Sequence, residues 1–281
     1  MSAHNLFSYR QLWDKNFQLA QPQMSAQDIA KERQAKMLSI FDDNMKSIRP
    51  NSIEEIPEGS VAVISMIGVM LRYGTWYAWG ADELIHQLEW ANNIKNIKAI
   101  IIVIDGPGGS VSAISPFIDF ASRKQKPIVA IMDSSLSLHR WIPDAIADYQ
   151  IAGNTISARF GSIGVVSSWL DVRQYWENLG IFEKEVYPDE SSHKNEIWRQ
   201  LKEDEEKGMQ MMREQLKPIA IQFQNAVRAA HPNLIEEEGV LTGRTFSAED
   251  ALRVNMIDAI GTMDDAFQKA TLLADLQAAG V

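Results

Sequence analysis

The chain has 281 residues, 46% hydrophobic and 23% charged, enough for one large domain or two small ones without disulfides or metal. Its 27 Lys+Arg against 37 Asp+Glu give a formal charge of −10, which argues against nonspecific binding to nucleic-acid phosphates. The absence of cysteine excludes a disulfide scaffold, a zinc–thiolate site and thiol catalysis, and it fits a reducing compartment.

Residues 1–47 read as polar-amphipathic helix, with Leu12, Phe17, Leu19, Ile29, Met37, Leu38 and Phe41 spread among charges. Their start lacks the basic, apolar and small-residue succession of a secretory signal. Residues 48–60, with Pro50, Pro57 and Gly59, read as a linker. Residues 1–58 are therefore expected to be a helical arm and linker, packed on its own domain or on a neighbouring subunit. Residues 59–281 are expected to form the main domain.

Val61–Ile67 has a buried-strand pattern, and Ala81–Asn93 a helix with Leu84, Ile85, Leu88 and Ala91 on one face. The β-branched run Ala99–Ile104 suits a strand covered on both faces, as in a parallel sheet. A helix over Val111–Arg123, a strand over Pro127–Met132 and short strands near Ala152 and within Ile156–Val166 follow. Leu201–Ala230 has helical spacing, with Pro218 expected to kink or divide it. Ser247 opens a capped helix, and a terminal helix starts near Met263. This alternation predicts an α/β fold with right-handed crossovers. The apolar runs are too short to span a bilayer, so no integral membrane segment and a cytoplasmic location are expected.

Asp105-Gly106-Pro107-Gly108-Gly109-Ser110-Val111 lies between a buried strand and a helix. Such a turn can aim backbone N–H groups at a developing oxyanion, or it can be a tight turn only. It has neither the P-loop Gly-Lys-Ser/Thr nor the dinucleotide G-x-G-x-x-G. His4, His86, His193 and His231 have no metal-ligand spacing, and neither metal nor cofactor is expected. Tyr73-Gly74-Thr75-Trp76-Tyr77-Ala78-Trp79 could line a groove, form a subunit interface or fold onto its own domain; the interface is favoured.

The string Ala99–Val111, then Gly161-Ser162-Ile163-Gly164-Val165, then Leu241–Ala248 with Ala251, Asp258 and Gly261, resembles the ordered signatures of the signal peptide peptidase A (protease IV) family. The layout is similar to its compact phage and prophage head-maturation members. The resemblance implies a Clp-protease/crotonase-like α/β domain, a homo-oligomeric ring whose sites can borrow residues from a neighbour, and peptide or protein substrates. It allows a bacterial host cytoplasm or a phage particle as the setting. It also implies a Ser nucleophile and a Lys base, which burial or a neighbouring positive charge can make neutral.

Lys194 occupies the family's lysine position, and Gly108, Gly109, Ser110, Leu138 and Ser162 are the candidate oxyanion and substrate-binding residues. The nucleophile segment departs from the pattern. Ungapped counting from Asp133, or back from Asp148, puts Leu138 where the family has serine. Ser137, one residue earlier, is the candidate nucleophile. Leu138, His139 and Arg140 are expected to crowd an approaching peptide, and His139 to lie at the surface or an interface. Two readings stay open: a Ser137/Lys194 serine endopeptidase, or an inactive pseudoprotease serving as an oligomeric scaffold or peptide-binding ring. Acyl-CoA chemistry on the related crotonase fold is a third, less supported by the motifs.

Overall fold

A computed structural model describes residues 37–75 and 78–280. The expected arm lies mostly outside the described residues, as do Trp76 and Tyr77 of the aromatic cluster. Within the described part, the helical reading of residues 1–47 needs correction: Leu38–Phe41 (β1) and Ser47–Ile48 (β2) are antiparallel strands. Phe41, read as part of a helical face, instead meets Phe267 edge-on at 5.2 Å.

The main sheet is built on β3 (Ser60–Ile67), β6 (Ile97–Gly106) and β7 (Ile128–Leu136), paired parallel in the order β3-β6-β7. The short strands β4 (Met70–Leu71) and β5 (Trp79–Gly80) form a separate parallel pair between β3 and β6. β8 (Tyr149–Ala152) and β9 (Arg159–Gly161) also run parallel to β7. β10 (Thr245–Phe246) is antiparallel to β9, and β11 (Ala259–Ile260) is parallel to β8. The expected α/β architecture, a mostly parallel sheet flanked by helices, is what the chain adopts.

Both faces of the three central strands are covered, which is why their sequences are apolar at successive positions rather than alternating. Val61, Val63, Ala99, Ile101, Val129 and Ile131 pack on Ala266, Phe267, Ala270 and Ala274 of the terminal helix. The opposite face receives α1 (Ala81–Asn93), which buries Leu84, Leu88 and Ala91, and α2 (Ser115–Ala121) packs beside α1 and buries Phe117 and Phe120. A short 3₁₀ turn, Val111–Ala113, precedes α2, so the helix expected over Val111–Arg123 is shorter and begins at a Pro116-compatible first turn.

One edge of β7 is shared. Val129–Met132 pair with β8, and Ser134–Leu136 pair with β9, so β7 changes partner at Asp133. This extends β7 four residues beyond the predicted Met132 and carries its polar end, Ser134-Ser135-Leu136, to a corner with α3 (Leu138–Ile146).

After β9 the chain makes a long excursion through α4 (Arg173–Asn178) and α5 (Glu196–Glu203), then returns along α6 (Glu205–Ala230). The long helix breaks at Asp204, whose side chain accepts the Lys207 N–H as an N-cap, and not at Pro218. Pro218 and Glu214, whose carbonyl loses its usual donor, both face solvent, where water can replace the bond. α7 (Ala248–Arg253) and α8 (Met263–Ala279) start where expected, capped by Ser247 and Thr262.

Candidate active site

Ser137 sits at the corner between β7 and α3 with φ 53° and ψ −121°, a conformation costly for a residue with a Cβ. Its backbone is held on both sides: its N–H donates to Gly161 O at 3.0 Å, and its carbonyl accepts the Arg140 and Trp141 N–H groups at 2.8 and 3.1 Å. The side chain is half-buried, and its hydroxyl makes no hydrogen bond among the described residues. A strained strand-to-helix turn of this kind presents a serine oxygen at the end of a parallel sheet.

Gly108 lies directly against it. A Cβ on Gly108 would come within 2.7 Å of Ser137 Cβ and 3.0 Å of its Oγ, and Gly108 has φ 117°. Glycine is needed here both for conformation and for space. The loop is pinned at three points. Gly108 N–H donates to His139 Nδ1 at 3.0 Å, Gly108 O accepts from Met70 N–H at 3.0 Å, and Ser110 N–H donates to Met70 O at 2.9 Å. Pro107 has no N–H, so Gly109 carries the one amide of residues 107–110 with no acceptor among the described residues. Of the two amides expected to face an oxyanion, Gly108 N–H is thus already engaged by His139, and Gly109 N–H is not engaged among the described residues.

On the other side of Ser137 is the Gly161-Ser162 turn, with φ 106° and 52°. Ser162 N–H donates to Arg244 O at 3.0 Å, which joins the second and third sequence motifs at the edge of the corner. Ser110 is half-buried, its hydroxyl 2.9 Å from that of Ser112.

Leu138, His139 and Arg140 turn inward, at 3%, 0% and 0% exposure. The expectation that they crowd an approaching peptide is overturned, as is the placement of His139 at the surface or an interface. Leu138 offers its N–H, the first of α3 and without a helical acceptor, while its side chain joins the core. Arg140 pairs with Asp144 one helical turn on and reaches Gln150 and His231, all buried. Burial pushes the Asp144 carboxyl upward, but the Arg140 charge and the His231 and Arg140 hydrogen bonds outweigh it and hold the pKa below its ordinary value. Trp141 stacks on Phe223 of α6 at 4.6 Å and 4°, which fixes α3 from behind.

Pro143 lies inside α3 and removes the N–H that would bond to the His139 carbonyl four residues back. Ser135 Oγ donates to that carbonyl instead, at 2.9 Å. The residues around the corner therefore form a matched set: Ser135 with Pro143, Arg140 with Asp144, and His139 with Gly108.

Lys194 is not joined to this corner within the chain. It lies in the excursion, in the turn before α5, with an exposed side chain that makes no ion pair or hydrogen bond among the described residues. The excursion is also apolar on its outside. Val166, Leu170, Tyr175, Phe182 and Val186 are exposed, and a groove of about 710 Å³ is lined by Val172, Trp176, Ile181, Phe182 and Lys202. Among the described residues no group of three or more His, Asp or Glu is arranged to hold a metal ion, and no helix is long and apolar enough to cross a membrane.

The profile of peptidase family S49 matches residues 121–277, more than half of the chain and including Ser137, Lys194 and the last two motifs. A Methanocaldococcus jannaschii protein named as a protease is 24% identical over 198 residues, 70% of this chain and 62% of that protein. Protease 4 of Salmonella typhi is 25% identical over 251 residues, 88% of this chain and 39% of that protein. The chain thus spans less than two thirds of the length of these relatives. A solved structure of a mutant of the 1510-N membrane-bound stomatin-specific protease with a substrate peptide aligns with TM-score 0.47 and 16% identity, covering 76% of this chain and 80% of that one.

Proposed function

The chain belongs to peptidase family S49, and on that premise we propose that it hydrolyses peptide bonds through an acyl-enzyme on Ser137, with Lys194 of a neighbouring copy as the base. The observation that carries this reading is the Ser137 corner: a half-buried serine at φ 53°, ψ −121°, facing a glycine that leaves room for it. Ser137 Oγ attacks the peptide carbonyl while its proton passes to a neutral Lys194 Nζ. The oxyanion is held by the Gly109 and Leu138 N–H groups, which have no acceptor among the described residues. The same amine returns the proton to the departing peptide nitrogen, and water then cleaves the acyl-enzyme.

A lysine can take this proton only when burial or a neighbouring positive charge makes it neutral. Lys194 is exposed in the single chain, and its segment carries an aromatic-rich apolar surface of the kind that interfaces bury. A second copy docked on that surface would desolvate the amine and bring it to a Ser137. Homo-oligomerisation is thus part of the mechanism.

The exposure of Lys194 also favours a second reading, an oligomeric scaffold that binds peptides without cleaving them. A fluorophosphonate label separates the two. The peptidase reading expects label on Ser137, located by peptide mass mapping, and its loss in Ser137→Ala and Lys194→Ala. An intact oligomer that takes no label would support the scaffold.

A further inference from the structure

We infer that His139 is a positioning residue for the Ser137 site, using Nδ1 as a fixed acceptor that holds the Gly108 amide and so orients the glycine loop against the nucleophile. The inference rests on the Ser137 reading and adds a residue that the family resemblance does not supply.

The ring is completely buried, and Gly108 N–H donates to Nδ1 at 3.0 Å. An acceptor nitrogen carries no proton, so the neutral ring must carry it on Nε2. Nε2 is buried with no hydrogen-bond partner among the described residues and rests against Gly106, where any Cβ would collide with the ring. A buried N–H without an acceptor is destabilising, and an apolar side chain would fill the same space without it. The polar ring therefore has its use at the other nitrogen. Burial, partly offset by the charge of Asp105, lowers the pKa to about 4, which keeps Nδ1 an acceptor at neutral pH.

The residue is fixed at its backbone as well. Its carbonyl accepts from Ser135 Oγ, and Ser135 is the ladder partner of Gly106. His139 thus ties the ends of β6 and β7 together beneath Ser137. With Gly108 N–H engaged by the ring, Gly109 N–H is left as the loop's unengaged donor beside the nucleophile. Ser137, at the β7–α3 corner, and Gly109, on the loop after β6, would otherwise be set by separate elements, and small errors in such placement are costly to rate.

His139→Asn and His139→Leu separate acceptor from volume, because Asn Oδ1 can stand where Nδ1 is and Leu has no acceptor. In the intact full-length protein, fluorophosphonate labelling of Ser137 is expected to slow by about 10–100-fold in His139→Leu and to stay within about threefold of wild type in His139→Asn. Folded His139→Leu labelling at the wild-type rate would overturn the inference. If wild type takes no label, the peptidase reading fails by itself, and His139 is judged on wild type by nitrogen-15 NMR of the ring. A neutral imidazole protonated at Nε2 with a shifted, exchange-protected Gly108 amide supports the clamp. A ring protonated at Nδ1 refutes it, and this measurement also serves if the Leu variant does not fold.

Discussion

Ser137 holds a backbone conformation that residues with a Cβ avoid, and Gly108 gives it room by having none. Gly108→Ala would bring a Cβ to 2.7 Å from Ser137 Cβ at a φ of 117°, with strain of about 1–2 kcal/mol from the backbone alone. The expected outcome is a folded protein, checked by circular dichroism, whose Ser137 labelling falls by about 100-fold or more. His139 gives a pH signature. Its pKa is about 4 in the fold against an ordinary 6.5, so the unfolded chain takes up a proton first as pH falls. The stability tied to the neutral ring is complete above pH 6.5 and declines as pH approaches 4, by up to about 3 kcal/mol. Urea titrations of wild type and His139→Asn at pH 7 and pH 4.5 should show a smaller acid loss in the variant; equal losses would contradict the assignment. The sequence brought Ser137 and Leu138 to this corner without choosing between them. Ungapped counting put Leu138 at the critical position, and only the β7 extension to Leu136 and the turn at Ser137 show that Leu138 points into the core.

At the scale of elements, α3 tolerates an internal proline because a neighbouring strand supplies the missing donor. Ser135→Ala should destabilise the protein by about 1–3 kcal/mol, since the His139 carbonyl is then buried without a partner. The double variant Ser135→Ala, Pro143→Ala restores the helical N–H and should recover most of that loss; additive losses in chemical denaturation would refute the compensation. The central strands and α1 were readable from apolar runs and helical spacing. β1 and β2 were not: within a polar stretch, six residues gain strand structure from sheet pairing and contact with α8, which local periodicity does not record. The long helix was legible but its break was misplaced, because an exposed proline can stay in a helix whereas Asp204 offers a cap.

At the scale of the whole molecule, the three motifs of the sequence, far apart in the chain, meet around one corner through parallel pairing of β6, β7 and β9 and the antiparallel β9–β10 pair. Lys194 is the exception, on an excursion whose apolar exterior is open in a single chain. That surface is expected to be an interface. Phe182→Asp should reduce the assembly measured by light scattering and abolish labelling, with Ser137 and its corner unchanged; a full-size assembly would show that the groove serves another purpose. Most direct is a complementation experiment with Ser137→Ala and Lys194→Ala chains, each inactive alone, co-expressed to form mixed assemblies. A serine from one copy and a lysine from the next should restore about a quarter of the wild-type labelling in a random ring. Mixed assemblies of wild-type size that remain unlabelled, beside a labelled wild type, would contradict a dyad shared between copies.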